Sequence, residues 1–203
     1  MATTEKRFTL RPIFTRFYRA LGNPMTGAGP TTSVRALVYG LPLIVGTAAA
    51  LIFPLDGNPS RNPSPFTPVL SVATAFIGGF LACFVLLLNL RIKLHESPDL
   101  PQSETTRTNV TSAAYTSLYL AVCSGAIVTT GLLVNFVWQY ASEPWFILVR
   151  LGIGVVVALV LHVLVSTLSL VRRVGGAYAT LFDQDTRQRP RLVSPPQRHH
   201  DAS

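Results

Sequence analysis

The 22 residues 69–90, VLSVATAFIGGFLACFVLLLNL, contain no Asp, Glu, Lys or Arg. At about 1.5 Å rise per residue a helix of this length crosses a hydrocarbon layer, which asks for about 17 to 25 predominantly apolar residues. A buried helix of a water-soluble bundle would instead show a polar face every third or fourth position. Three further runs share this character, at residues 36–53, 113–137 and 146–171; only the last holds a charge, Arg150, in its first turns. The fold read from these runs is all-α, a polytopic membrane protein with four transmembrane helices.

Composition agrees. The chain has 203 residues, of which 49% are apolar and 13% charged, about half the roughly 25% charged found in soluble domains. So short a chain cannot hide that excess in a core, because much of its surface stays outside. A soluble enzyme, a disulfide-stapled secreted domain and a disordered acidic tail are all poor fits.

Basic residues set the expected orientation, since Lys and Arg near span ends are retained on the cytoplasmic side. Of the 17 Lys and Arg, six precede or open the first span (Lys6, Arg7, Arg11, Arg16, Arg19, Arg35). Three lie in the middle loop (Arg91, Lys93, Arg107) and six follow the last span (Arg172, Arg173, Arg187, Arg189, Arg191, Arg198). The other connections offer Arg61, with Arg150 at an outer edge. Both termini are therefore expected in the cytoplasm and the chain in the inner, or plasma, membrane. Trp138, Tyr140 and Trp145 bracket the third connection, where an interfacial aromatic belt would sit. The first thirty residues lack the apolar core of a signal peptide, so no cleavage is expected.

Within the segment 1–33, residues 7–21 wind into an amphipathic helix on the inner membrane face, with Pro12 in its first turn. Leu10, Ile13, Phe14, Phe17 and Leu21 fall on one side and Arg11, Arg16 and Arg19 on the other. Such a helix buries its aromatic side at the acyl boundary and offers arginines to anionic lipid; packing on a partner protein or on the chain's own inner loops competes with this. Residues 23–30 form a joint rich in Gly and Pro. The transmembrane domain covers 34–171. Its outer loop, with Pro54, Pro59, Pro63, Pro65 and Pro68, reads as a stiff extended strap. The inner loop 91–111 is long enough for a partner-binding element but not for a catalytic domain. The short third connection makes spans three and four an antiparallel hairpin. Residues 172–203 form a cytoplasmic tail, helical at first and disordered from about 188.

Small residues recur every four positions on three spans: Ser71, Ala75, Gly79 and Cys83; Ser117, Ala121, Gly125 and Thr129; Gly154, Ala158, His162 and Ser166. Lipid gives helices no hydrophobic reason to associate, so close backbone approach along small faces must do it. These faces are expected to be packing seams, within one chain or between copies. Pro42, followed by Gly46, lacks the amide that would hold the carbonyl one turn earlier, which bends or loosens the first span.

His162 is the ionisable group expected nearest the bilayer centre, and such residues are functional candidates by default. A hydrogen bond from Ser124, Thr129 or Thr130 would satisfy it as a packed core histidine, with Ser166 one turn away. Asn135 lies too near the outer end to be the obvious partner. Arg150 and Glu143 read as interfacial anchors, with a gating or anion-attracting ring as the sharper alternative. Cys83 and Cys123 behave as small packing residues, and His199 and His200 are incidental. No catalytic, cofactor-binding or metal motif is present, so an enzyme is not expected. The positive charge matches topology and lipid rather than nucleic acid.

Residues 70–80 (LSVATAFIGGF), 88–91 (LNLR) and 162–168 (HVLVSTL) resemble small uncharacterised bacterial membrane proteins of four helices, some of them associated with anti-phage defence loci. That resemblance covers spans two to four and implies a pore-forming membrane effector triggered by a cytoplasmic partner. The residues themselves point first to a non-enzymatic membrane subunit that self-associates or joins a complex through its cytoplasmic parts. A small-solute or proton-coupled transporter working through His162 is the other class. Unlike many transporters, the two halves share neither loop length nor breaker positions.

Overall fold

Apolar side chains cannot satisfy backbone N–H and C=O groups, so these runs must satisfy their own, and helices do that locally. A computed structural model describes residues 10–22, 29–52, 67–96, 104–140 and 146–188. Apart from Leu10, Gly22 and residues 29–31 the described residues are helical, with no strand among them. In chain order they form α1 (Arg11–Leu21), α2 (Thr32–Arg35), a π-helical turn (Ala36–Gly40), α3 (Leu41–Ile52), α4 (Thr67–Glu96), α5 (Glu104–Tyr140) and α6 (Phe146–Gln188). Four stretches are long and apolar enough to cross a membrane: Thr32–Ile52, Thr67–Glu96, Thr106–Gln139 and Ile147–Ala179.

The helices outrun the apolar stretches read from sequence. The expected inner loop 91–111 is largely absorbed, because α4 continues through Glu96 and α5 begins at Glu104. Polar residues end a span but do not end a helix, and neither Pro nor Gly interrupts these extensions. The amphipathic segment is helical from Arg11, with Pro12 in its first turn. The proline-rich strap, most of the Gly and Pro joint and the tail beyond 188 lie outside the described residues, as do Glu143, Trp145, His199 and His200.

The four long helices lie in the spatial order α4, α5, α6, α3. The first apolar helix therefore packs on the last, not on its successor. Paired groups fix α5 and α6 as antiparallel: Arg173 donates to Ser112 at one end, Tyr119 meets His162 further along, and Gly152 abuts Val134 beyond that. α4 joins α5 through Ala73, Phe80, Leu87 and Leu94, one residue in seven and hence one face. Leu43, Ile44, Leu51, Ile52, Leu86, Leu133 and Leu168 point outward, so the surface is apolar where a water-soluble bundle would be polar.

The expected small-residue seams divide into two outcomes. Gly154 and Ala158 meet Gly46 of α3: a Cβ on Gly46 would lie 2.5 Å from the Gly154 carbonyl oxygen and 2.7 Å from the Ala158 Cβ. Ser117 and Ala121 are buried in α5, Gly125 is half-buried and Thr129 is exposed. On α4 the seam is uncovered over most of its length: Ser71, Ala75 and Gly79 are exposed and a Cβ on Gly79 would meet nothing within 4 Å, while Cys83 is half-buried against the core. Within one chain α4 presents its Ala73 and Phe80 face to α5 instead, because large side chains fill the space between helices that do not approach closely.

Gly46→Ala and Gly154→Ala should each destabilise the fold by about 1–3 kcal/mol, the usual cost of overpacking. Gly79→Ala should be neutral or slightly stabilising, since alanine is the better helix former and space is open. Unfolding of the detergent-solubilised protein by added denaturing detergent measures all three.

Candidate functional site

Pro42 begins the construction of the site. With no N–H it cannot bond to the carbonyl of Val38 four residues earlier, and its ring crowds that carbonyl. The chain answers by widening just there: Ala36–Gly40 is π-helical, and the Leu41 N–H reaches back five residues to the Ala36 carbonyl. The Val38 carbonyl then takes a hydrogen bond from outside its own helix. His162 Nδ1 of α6 lies 2.8 Å from it.

A carbonyl can only accept, so Nδ1 carries a proton, and in the neutral form of the ring Nε2 is then the acceptor. Its partner is Tyr119 of α5, whose hydroxyl oxygen lies 2.8 Å from Nε2. One imidazole thus joins three elements that are distant in sequence: the π-helical turn, α5 and α6. His162 is 7% exposed and Tyr119 is 5% exposed, so water does not compete for either bond.

Aromatic rings complete the enclosure. Tyr39 stacks on His162 at a centroid distance of 5.5 Å. Phe17 of α1 stacks face to face on Tyr119 at 3.7 Å, and Phe14 meets the same ring edge-on at 5.2 Å. α1 therefore seats on the cluster, with Ile13, Ala20 and Leu21 turned toward the core beside Phe17. Offset-stacked and edge-to-face pairs each add about 0.5–1.5 kcal/mol beyond the area they bury.

This arrangement changes several of the expectations. The partners of His162 are Tyr119 and a backbone carbonyl, not Ser124, Thr129 or Thr130. Thr129 bonds to the Gly125 carbonyl of its own helix. The Ser124 and Ser166 hydroxyls are buried with no hydrogen-bond partner among the described residues. Asn135 is half-buried, its side-chain oxygen also unpartnered there. Val38 is six residues past Thr32 in the first apolar stretch, about 9 Å from that end at 1.5 Å per residue, while His162 lies midway along the stretch Ile147–Ala179. Phe17 is covered by the protein itself, not by lipid, whereas Phe14, Arg11, Arg16 and Arg19 remain exposed. Trp138, expected in an interfacial belt, is 5% exposed and packs with Val134, Val149 and Ile153. Arg150 is exposed.

Pro42 was the signal in the sequence that could have led to Val38, by counting back four residues. Nothing in the sequence singled out Tyr119, because Tyr115 one turn earlier and the hydroxyls of Thr116 and Ser117 between them offer the same kind of group. Among the described residues no group of three His, Cys, Asp or Glu side chains could hold a metal ion. Cys83 and Cys123 are free thiols, one half-buried and one buried. The cluster joins α1, the π-helical turn, α5 and α6, with both ring nitrogens occupied. The chain matches no protein-family model, and no curated protein or solved structure shows significant similarity to it.

Tyr119→Phe keeps the stacked ring and removes the hydroxyl with its bonds to His162 and the Cys123 thiol, so it should cost about 0.6–2 kcal/mol, the range for side-chain hydrogen bonds between membrane helices. His162→Leu should cost more, because it strands both the Val38 carbonyl and the Tyr119 hydroxyl. A double-mutant cycle on denaturing-detergent unfolding should give a coupling of at least about 0.5 kcal/mol.

Proposed function

We propose that this chain is a non-enzymatic integral membrane protein, crossing the bilayer four times with both termini in the cytoplasm, that works as a subunit of a membrane assembly. The observation that carries the reading is the difference between two seams. The Gly154 and Ala158 stripe is occupied by Gly46 of the same chain, while the Ser71, Ala75 and Gly79 stripe lies bare on α4, the helix at one edge of the row. A second copy is the occupant with the matching surface, since a two-fold interface brings the same small face to itself.

The orientation draws support from how the antiparallel helices gather charge. Arg35, Arg91, Lys93, Arg107, Arg172 and Arg173 fall toward one end of the row, and Arg150 falls at the other. That asymmetry is the one the positive-inside rule associates with the cytoplasmic side. His162 favours a structural role over proton transport, because both of its ring nitrogens are already engaged within the chain.

Gly79→Leu is the decisive substitution. Space at Gly79 is open within the chain, so folding should be retained while close approach of a second α4 is blocked. Native mass spectrometry in mild detergent should show oligomers for the unaltered protein and mainly single chains for the variant. A single chain in both cases would remove self-association through this face.

A further inference from the structure

We infer that the uncovered side of α1, with Arg35 beside it, is a binding surface for anionic phospholipid headgroups in the leaflet at the Arg35 end of the helices. This rests on the four-span reading. It goes further by naming a ligand class and the residues that select it.

The helix has more apolar arc than the protein covers. Ile13, Phe17 and Ala20 turn onto α5. Next to them around the helix, Leu10, Phe14 and Tyr18 form a second line at four-residue spacing, and they stay 51%, 45% and 37% exposed. The remaining arc carries Arg11, Thr15, Arg19 and Arg16, all exposed. A helix facing water alone would not carry that bare aromatic line, and one facing acyl chains alone would not carry those cations. Both are matched where hydrocarbon gives way to headgroups.

Charge complementarity fixes the kind of lipid. The sequence has no Asp or Glu between Glu5 and Asp56, so these arginines find no counter-ion in their own segment. Two are already oriented. The Arg16 guanidinium lies 4.2 Å above the Tyr115 ring. Arg35 lies 5.6 Å above the Tyr18 ring and donates from Nε to the Pro30 carbonyl at 3.0 Å. Neither contact neutralises charge, and guanidinium forks match phosphate oxygens. The depth agrees as well. α1 sits on Tyr115 and Tyr119 of α5, alongside the Val38 and His162 cluster and close to the end at which the first apolar stretch begins.

The test uses full-length protein reconstituted into phosphatidylcholine vesicles containing a minority of phosphatidylglycerol, probed with trace spin-labelled lipid of each class. Motionally restricted phosphatidylcholine reports the intramembrane surface and so tests insertion by itself. Restricted phosphatidylglycerol should exceed it severalfold at low salt, and the excess should shrink at high salt. Arg11→Gln with Arg19→Gln removes two exposed charges that make no contact with the core, and should cut the preference by up to about fivefold per charge. Equal restriction of both lipids would overturn the proposal while insertion stands. A phosphatidylglycerol preference undiminished by the double substitution would also overturn it, by locating selectivity elsewhere. Absence of any restricted lipid would overturn the four-span reading together with this one.

Discussion

A carbonyl released by proline has to be answered, and the apolar side chains around it contain nothing to answer it. Pro42 removes the partner of Val38 in the middle of an apolar helix, where an unpaired polar group costs several kcal/mol. His162 supplies the donor, and in doing so fixes its own tautomer and calls for a donor on its other nitrogen, which Tyr119 provides. The ring of Tyr119 in turn gives Phe17 a flat surface to stack on. Each contact follows from the one before, so one missing amide governs the placement of α1, α5 and α6 around the π-helical turn.

Much of the helical architecture was legible from charge alone. Runs with at most one Asp, Glu, Lys or Arg can be counted, and the four runs became the four long apolar helices. The helix ends were not legible, because residues such as Arg91 and Lys93 mark where an apolar environment stops while remaining good helix formers. Neighbour relations were hidden too. Gly154 and Ala158 announced a close contact without saying that Gly46 was its other half. The same four-residue spacing on α4 turned out to face outward. Spacing reveals that a face is small, but only the partner's surface decides whether it is used.

The site was half-readable for a related reason. His162 stood out by type and Pro42 by its known defect, yet joining them needs the pairing of the first apolar helix with the last. A histidine seeks its complement in space, and serine or threonine side chains are the sequence-level guess because they are the common hydroxyls. The actual acceptor is a main-chain atom, which no residue type advertises. Phe17 and Phe14 looked equivalent on a helical wheel and differ by one neighbour, since Tyr119 lies under one and beside the edge of the other.

The spatial order of the helices bears on how the polypeptide is made. Residues 32–52 leave the ribosome early, but the surface they pack on belongs to α6 and exists only after residue 162 has emerged. Until then the first hairpin partner is missing, and Gly46 faces whatever surrounds the nascent chain. α1 waits as well, though less long, for α5. Biogenesis therefore ends when an early segment docks at one edge of the row, against the last helix to emerge. Truncation ahead of α6 would leave that early segment without its seat and open to capture by quality control.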